Sequence, residues 1–580
     1  MWPFSSYPEH SPSSVDGKTY DYVIVGGGTA GCVVASRLSE ANNVSVLVIE
    51  KGHVNDNIVS RMPLLSQNMF LGDILQVQSN RWSEPLPSVN RRRSRLWAVE
   101  GIGGATRMNG MLWTRGFPGD YAAWSEMGLG DWTYNKVEPY FRKIENATVH
   151  PKSEARGHGG PIELRQFQFP FEWTSYLNQA IKKLGLRLEK DINNPAAPAM
   201  GSFTLDTAID NRGNRISALT AYLSKKLAFQ RRDNLTICTG TVASRLEADS
   251  QTGLVTGVYI QNAKGPPGKF FVKVRREVIM CAGAACTHQP LLLSSIGPAD
   301  SAENFDIPLI KELPAVGATL SDHYSIPIML EIPRKETLHI LETLWGIWHL
   351  LLWLFTGKGT FQVKNHDEEG HDNLDASLAR NVPDIEIMVI PNSSVERAVE
   401  GHAFMSLYPT LVQPRGSGLV ELATVRAKLA FAPGQDPTML EEWERVAPID
   451  YLPVPAQPVS SLPGSVTSQA NLESPTGATT RHDFRRNKTW KDVTDNEIDD
   501  CSRRVAHTSL HFSGTCPMSN DDKSGVVDQK LLVYGFSNLR IADTSVFPKI
   551  PSCYTMAPVM MVAERCADLA KEAWEGRKSQ

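Results

Sequence analysis

At 580 residues, the chain is longer than one hydrophobic core usually serves, so we expect at least two domains. Its 41% hydrophobic and 21% charged residues are typical of an ordinary globular protein. The net charge of −4 gives no electrostatic reason to expect a nucleic-acid partner. No stretch approaches the roughly 20 apolar residues that a membrane-spanning helix needs. The closest candidate, Leu344–Phe355, predicts a buried helix or an apolar pocket wall.

The N-terminus and the cysteines indicate the cellular compartment in which we expect the protein. The first ten residues lack the basic segment and apolar core of a secretory signal peptide. The eight cysteines are scattered without a C-x-x-C pair, which fits a reducing compartment. We therefore expect a cytoplasmic protein without a metal site, and the sequence leaves the oligomeric state open.

The first predicted elements surround a glycine-rich turn. The apolar run Tyr22–Val25 predicts a buried strand, and G-x-G-x-x-G spacing follows at Gly26, Gly28 and Gly31. The first glycine permits a tight turn, the second lets the backbone approach a diphosphate, and the third lets helix and strand pack closely. The sequence therefore predicts a dinucleotide-binding site at this turn.

The helix and strand after the turn extend this prediction. Free backbone N–H groups at the start of the helix favour phosphate, so Thr29 and Ala30 belong to the predicted site. A second strand, Val44–Ile49, ends in Glu50, which we expect to accept hydrogen bonds from a ribose hydroxyl. An ordinary glycine-rich turn is the alternative, but strand, helix, strand and acid occur here in the expected order.

The rest of the chain divides into a middle block and a C-terminal block. A strand and hairpin are predicted over 235–257, and another strand, Val278–Ala282, runs into a glycine. Residues from about 325 to 500 combine predicted strands with a Pro/Gly/Ser-rich stretch; those strands are Ile326–Ile332, Asp384–Val389 and Met405–Val412. After Val505 the chain returns to glycine-rich loops and ends in a predicted helix, Ala557–Ala573. These features suggest one domain assembled from distant segments.

Six separated motifs occur in a fixed order along the chain. They are Gly26–Gly31 with Glu50, Gly103–Gly110, Gly283–Pro298, Leu313–His323, His511–Met518 and Leu539–Pro548. Taken together, they resemble the glucose–methanol–choline (GMC) family of flavin-dependent oxidoreductases over nearly the whole chain. The resemblance implies an α/β fold, in which a Rossmann-like FAD-binding domain accompanies a second, antiparallel-sheet, substrate-binding domain. We assign residues 19–324 and 503–575 to the first and 325–502 to the second, and leave part of 150–212 open between them.

The resemblance also implies a set of cofactor contacts. Besides the first glycine turn and Glu50, these are Gly104, Thr106, Asn109, Gly110, Val242, Asp543 and Thr544. Val242 matches the position whose backbone meets the adenine, and Asp543 and Thr544 match contacts to the phosphate–ribityl portion. Family members with covalent flavin carry a histidine where this chain has Met108, so we expect non-covalent FAD.

The expected catalytic groups lie near the C-terminus. Alcohol oxidation needs a base for the hydroxyl proton, and His511 matches the histidine that serves this role in the family. The family's second histidine or asparagine falls on Tyr554, a poor base at neutral pH but a good hydrogen-bond donor. An alignment slip that leaves Tyr554 merely packing is the alternative. Asp322 and His323 are expected to organise the fold, and His507 is expected to act at most behind His511.

Three functions are compatible with these residues. The leading one is oxidation of a bulky apolar or aromatic alcohol by hydride transfer to flavin N5; the substrate class rests on Trp345, Trp348 and Trp353. The alternative is a non-redox, FAD-containing lyase or cyclase that uses His511 and Tyr554 as an acid–base pair. A flavin-binding protein without catalysis is the third, and the presence of His511 argues against it.

Overall fold

The computed structural model describes most of the chain outside the Pro/Gly/Ser-rich stretch. It covers residues 6–67, 78–79, 82–94, 96–166, 171–266, 268–300, 309–356, 367–369, 382–392, 402–414, 416–418, 420 and 493–578. The predicted Pro/Gly/Ser-rich stretch at 432–479 lies outside these residues.

The strands are numbered in chain order. They are β1 (Thr19–Val25), β2 (Val46–Ile49), β3 (Gln78–Ser79), β4 (Ala98–Val99), β5 (Leu112–Trp113), β6 (Glu145–Ala147), β7 (Ile162–Arg165), β8 (Leu188–Glu189), β9 (Ser202–Thr204), β10 (Asp206–Ala208), β11 (Leu235–Cys238), β12 (Thr241–Asp249), β13 (Leu254–Asn262), β14 (Phe270–Met280), β15 (Ile296–Gly297), β16 (Lys311–Glu312), β17 (Tyr324–Ser325), β18 (Ile328–Glu331), β19 (Asp367–Glu369), β20 (Ile385–Ile390), β21 (Phe404–Leu411), β22 (His507–Thr508) and β23 (Leu539–Ile541).

The α-helices are numbered in the same way. They are α1 (Pro12–Val15), α2 (Thr29–Leu38), α3 (Pro63–Gln67), α4 (Pro118–Glu126), α5 (Tyr134–Ile144), α6 (Trp173–Lys183), α7 (Ala218–Tyr222), α8 (Lys225–Gln230), α9 (His288–Leu293), α10 (Leu344–Thr356), α11 (Asp495–Val505) and α12 (Met556–Lys578).

A seven-stranded sheet carries the glycine-rich turn. Its order is β11–β2–β1–β14–β13–β12, and β23 also pairs with β14. The pairs around β1, β2, β11 and β23 are parallel, whereas β12, β13 and β14 form an antiparallel meander. Every residue of β1 after Thr19 is buried, as expected for a parallel strand covered on both faces. The α/β class and the Rossmann-like turn are therefore confirmed.

Distant parts of the chain complete this first sheet. Strand β23 pairs with β14 through residues about 260 positions later in the sequence. The C-terminal helix α12 packs against α2, and Arg37 of α2 forms a 2.9 Å ion pair with buried Glu564 of α12. The end of the chain thus lies beside the turn at its beginning.

A second sheet is built mainly from the middle block. Its order is β22–β17–β21–β20–β19–β9–β8, and β18 also pairs with β21. The predicted middle strands appear as β17 with β18, β20 and β21. All pairs are antiparallel except β8 with β9, and those two strands come from 150–212, the segment left open above. Strand β22 leads directly to His511, so this sheet reaches the expected catalytic segment.

Several predicted elements differ from the structure in extent or type. The stretch 235–246 is two strands, because Gly240 turns the backbone at a φ of +59°. Strand β14 begins at Phe270, eight residues before its predicted start. His507 lies in a two-residue strand, so it is not one helical turn before His511.

The apolar run predicted as a buried helix is helical, but its outer face is open. Trp345 and Trp348 of α10 are 60% and 58% exposed. Trp353 is buried and donates to the Gly213 carbonyl oxygen at 3.0 Å. The prediction of a buried helix or pocket wall is therefore wrong for the outer face of α10. In the described part of the chain, none of the helices has the length and apolar character to span a bilayer.

The close packing of α2 on β1 predicts the effect of one substitution. A Cβ at Gly31 would lie 1.9 Å from the Gly26 carbonyl oxygen, so α2 would have to move. We expect Gly31→Ala to lower the free energy of unfolding by about 1–3 kcal/mol and to reduce the flavin content of the purified protein.

Gly159→Ala is the matched control, since a Cβ at Gly159 meets no atom within 4 Å. Thermal unfolding and flavin absorbance measure the two effects. Equal behaviour of the two variants would contradict the packing role of Gly31.

Candidate active site

The glycine-rich turn has almost no room for side chains. Gly26 has a φ of +103°, and a Cβ there would lie 2.5 Å from the Cys281 carbonyl oxygen. A Cβ at Gly104 would lie 2.8 Å from the Cα of Gly28, so the second motif touches the first. Gly28 caps α2 without a side-chain hydrogen bond, and Thr29 and Ala30 form the first turn without an acidic residue. This arrangement fits a bound diphosphate at the helix start.

Glu50 and Val242 lie together at the edge of the first sheet. The Glu50 carboxylate accepts hydrogen bonds from the backbone N–H groups of Gly27, Gly52 and Gly101, at 2.8, 2.9 and 3.0 Å. Burial raises the pKa of this carboxyl. The residue before Val242 donates its N–H to the Glu50 carbonyl oxygen at 3.0 Å. Glu50 thus joins three loops, and its contact with a ribose stays a prediction.

The loop after Gly104 connects the first sheet to the last helix. Thr106 donates its hydroxyl to the Gly103 carbonyl oxygen at 2.6 Å and accepts the Ala218 N–H at 2.9 Å. Asn109, just before Gly110, donates to the sulfur of Met556 at 3.1 Å. The loop therefore brings the predicted cofactor residues beside the start of α12.

The Asp543 carboxylate connects the loop that follows β14 to the loop that follows β23. It accepts hydrogen bonds from the Gly283 N–H at 2.8 Å, the Thr287 hydroxyl at 2.6 Å and the Ser545 N–H at 2.8 Å. Burial raises its pKa. Thr544 donates to the carbonyl oxygen of the residue after His511, at 2.8 Å. The predicted cofactor loop and the catalytic segment thus form one hydrogen-bonded unit.

The structure brings the two expected catalytic side chains into contact. The ring centroids of His511 and Tyr554 are 5.4 Å apart, with the ring planes at 90°. Tyr554 is held at both ends: its backbone N–H donates to the Thr114 hydroxyl at 2.9 Å, and its own hydroxyl donates to Glu386. The Tyr554 oxygen also lies 3.0 Å from the sulfur of Met388. Glu386 and Met388 belong to β20, so the second sheet contributes to the site.

His323, expected from the sequence to organise the fold, contacts His511 directly. Its Nδ1 lies 2.9 Å from Nδ1 of His511, and its side chain is buried. The neighbouring Asp322 accepts the backbone N–H of His511 at 2.8 Å and the hydroxyl of Thr508. A residue pair 188 positions from His511 therefore fixes both its backbone and its ring. The only sequence signal was the position of both in family motifs.

Burial shifts the pKa values of His511, His323 and Asp322. It lowers the pKa of His511 to about 4. Burial, and then the proximity of His511, lowers the pKa of His323 well below its usual range. Burial raises the pKa of Asp322 to about 7, against the hydrogen bonds from Thr508 and His511. Both histidines are consequently neutral at neutral pH, as a base requires before it accepts a proton.

A small cavity lies beside Cys553 and Glu386, the chain neighbour and the hydrogen-bond partner of Tyr554. Its lining mixes apolar and polar groups, among them Thr114, Phe117, Ile192, Asn193, Glu386 and Ser552. Tyr554 also packs against an apolar cluster that contains Phe117 and Ile192. Cys553 is buried and lines the same cavity.

Comparison with known proteins identifies the family. A family model described as GMC oxidoreductase matches residues 20–325, and the C-terminal model of the same description matches 450–563. The chain belongs to the GMC oxidoreductase family. The predicted resemblance is confirmed, and with it a flavin-dependent enzyme of the type that acts on CH–OH donors.

Relatives of this GMC oxidoreductase match along almost its entire length. Dehydrogenase str4 of Strobilurus tenacellus is 30% identical, over 96% of this chain and 94% of that protein. Oxygen-dependent choline dehydrogenase of Ectopseudomonas mendocina is 29% identical, over 95% and 94%. A formate oxidase variant of Aspergillus oryzae shares the fold with a TM-score of 0.77, 23% identity and 97% and 99% coverage. A fungal aryl-alcohol oxidase shares the fold with a TM-score of 0.73 and 21% identity, over 97% of this chain and 100% of that one.

FAD, the cofactor expected of a GMC oxidoreductase, fits the residues present. The glycine turn leaves open backbone where a diphosphate would bind, and the segments predicted to contact it converge there. In the described part of the chain, one group of residues has metal-ligand atoms close together: His150, Asp191 and Asp206. Arg156 donates to both of these carboxylates at 2.6 Å and so supplies the positive charge there.

The lowered pKa of His511 predicts the pH dependence of this GMC oxidoreductase. We expect kcat/KM to fall on the acidic side near pH 4, not near the usual histidine pKa of about 6.5, because the base is lost only when His511 is protonated. By linkage, stability contributed by neutral His511 is complete above about pH 6.5 and is lost as the pH falls toward 4.

Asp322 titrates in the opposite sense, since its raised pKa removes stability as the pH rises toward about 7. Asp322→Asn separates the two groups: an activity change near pH 7 that this variant abolishes belongs to Asp322. An acidic limb near 6.5 in both proteins would contradict the assignment to a buried, neutral His511.

Proposed function

We propose that the protein oxidises the CH–OH group of an alcohol with His511 as the base. When bound, FAD supplies the hydride acceptor, flavin N5. The observation that carries the proposal is the environment of His511: it is neutral at neutral pH, contacts Tyr554, and is fixed through Nδ1 by His323.

The contact between the two histidines indicates which nitrogen accepts the proton. An Nδ1–Nδ1 distance of 2.9 Å requires one ring to donate and the other to accept. When His511 donates through Nδ1, its Nε2 carries the lone pair and can take the hydroxyl proton of the substrate. The low pKa of His323 suits it to the role of neutral acceptor.

Tyr554 orients the substrate oxygen in this proposal. In the structure its hydroxyl donates to Glu386. In this proposal it turns to donate to the substrate oxygen, because the single hydroxyl proton of the substrate goes to His511.

For the substrate, we propose an alcohol with a bulky apolar or aromatic body. The exposed Trp345 and Trp348 of α10 no longer support this class, but the apolar cluster around Tyr554 does. The similarity in fold to an aryl-alcohol oxidase points the same way. The cavity lining also carries Glu386 and Asn193, which favours a hydroxyl or similar polar group on that body.

We also propose non-covalent FAD, a cytoplasmic location and the domain division at residues 325 and 503. Met108 stands where covalent attachment would need histidine. Five cysteines are buried free thiols, which supports a reducing compartment: Cys32, Cys238, Cys281, Cys516 and Cys566.

A non-redox lyase or cyclase is the second candidate. The contact between His511 and Tyr554, with Glu386 behind the tyrosine, also suits an acid–base pair that acts without hydride transfer. Anaerobic mixing with an aromatic alcohol distinguishes the two functions. Loss of the oxidised-flavin absorbance supports oxidation, whereas turnover with the flavin oxidised throughout supports the second candidate.

Removal of the proposed base tests the central residue. We expect His511→Gln to bind FAD normally and to lose about 10²–10⁴-fold in kcat/KM, the range typical of a general base. His507→Gln is the control, because His507 lies on the same segment and should retain most of the activity. Steady-state kinetics and flavin content measure both. Unchanged turnover in His511→Gln would exclude it as the base.

Tyr554→Phe tests the hydroxyl without removing the ring. We expect a lower kcat/KM by about 10-fold or more, because the substrate oxygen loses a hydrogen-bond partner. The ring contact with His511 should persist, so the acidic limb of the pH profile should stay in place. Full activity in this variant would reduce Tyr554 to a packing role, the alternative left open by the sequence.

A further inference from the structure

The fully buried arginines fall into two classes. Arg115, Arg156 and Arg540 each pair with carboxylates: Arg115 Nε donates to Glu145 at 2.7 Å, and Arg540 Nε donates to Glu277 at 2.7 Å. Arg156 donates to Glu145 and to the two aspartates described above. These pairs follow the general rule that buried charges are compensated.

Arg107 and Arg215 break this rule. Each is 1% exposed, and neither hydrogen bonds to a carboxylate among the residues that the structure describes. Arg107 donates to two backbone carbonyl oxygens, those of Val54 and Asn55, both at 2.6 Å. Its hydrogen-bond partners are therefore neutral groups. The Asp56 carboxylate attracts Arg107 through space, but this carboxylate already pairs with Arg61 at 2.6 Å.

The guanidinium of Arg215 likewise contacts neutral oxygens. It donates to the Ser66 hydroxyl at 2.8 Å, the Asn109 side-chain oxygen at 2.8 Å and the Thr106 carbonyl oxygen at 3.1 Å. Burial, and then repulsion from Arg107, lowers the pKa of Arg215 to about 9. A buried cation that lies near a second buried cation and hydrogen bonds only to neutral oxygens requires an anion nearby.

The position of both arginines indicates which anion this is. Arg107 ends the turn that begins at Gly104, and Gly104 touches Gly28 at the start of α2. Arg215 holds Thr106 and Asn109 of the same loop. We propose that Arg107 and Arg215 form a buried cationic pair whose counter-ion is the diphosphate of FAD. The pair sets the affinity of the apoprotein for its cofactor, and this does not depend on which substrate is oxidised.

Two substitutions at Arg215 separate charge from hydrogen bonding. Arg215→Lys keeps the charge and Arg215→Gln removes it, while both lose the geometry of the guanidinium. We expect the glutamine variant to bind FAD about tenfold or more weakly than the lysine variant, from the Coulomb energy of a buried cation near a dianion. Riboflavin, which lacks the diphosphate, should bind both variants equally. Titration of apoprotein by flavin fluorescence measures all four affinities.

The stability of the apoprotein gives a second readout. Without FAD, the uncharged Arg215→Gln should unfold at a temperature equal to or above that of Arg215→Lys, and added FAD should reverse this order. The same pair of substitutions at Arg107 repeats the test where Arg215 variants fail to fold. Arg334→Gln is the control, since this partly exposed arginine pairs with Glu342 and its loss should leave FAD binding unchanged.

Two results would overturn the proposal. Equal FAD affinities of the lysine and glutamine variants would show that the arginine only holds the loop. A parallel loss of riboflavin affinity in the glutamine variant would place the effect at the flavin instead of the diphosphate.

Discussion

The contact between His323 and His511 is the constraint on which the site depends. A base on a loop has many accessible orientations, and the 2.9 Å approach of the two Nδ1 atoms removes most of them. The backbone of His511 is held separately, by the Asp322 carboxylate. Because these partners arrive from another part of the chain, the site forms only after the chain between them has folded.

The same reliance on distant partners recurs at the cofactor end. Asp543 holds the strand-end loop at Gly283, and Asn109 reaches Met556 at the start of α12. Each contact joins segments separated by hundreds of residues. A fold of this kind has many non-local contacts, for which slow folding is expected. It also means that cofactor binding and the catalytic loop share one set of hydrogen bonds.

The sequence predicted those features that depend on local chemistry. The turn at Gly26–Gly31, Glu50 at the end of its strand and the pairing of His511 with Tyr554 followed from motifs. His323, Glu386 and Arg215 act through partners far away in sequence, and their residue types alone carry no such signal. The outer face of α10 was misjudged because an apolar run predicts a helix but does not reveal which side has neighbours. The sequence predicted the helices and strands better than it predicted which distant residues contact one another.

Strand β22 joins His511 to the second sheet. It pairs with β17 in the second sheet and ends at Thr508, only three residues before His511, with Leu510 in the left-handed region at a φ of +62°. His511 is thus joined to the second sheet by a very short segment, while Thr544 donates to the carbonyl oxygen of the next residue and holds it to the loop at Asp543. A shift of the second sheet relative to the Asp543 loop would therefore move the backbone before His511 but not the backbone after it, and would change the direction of its ring.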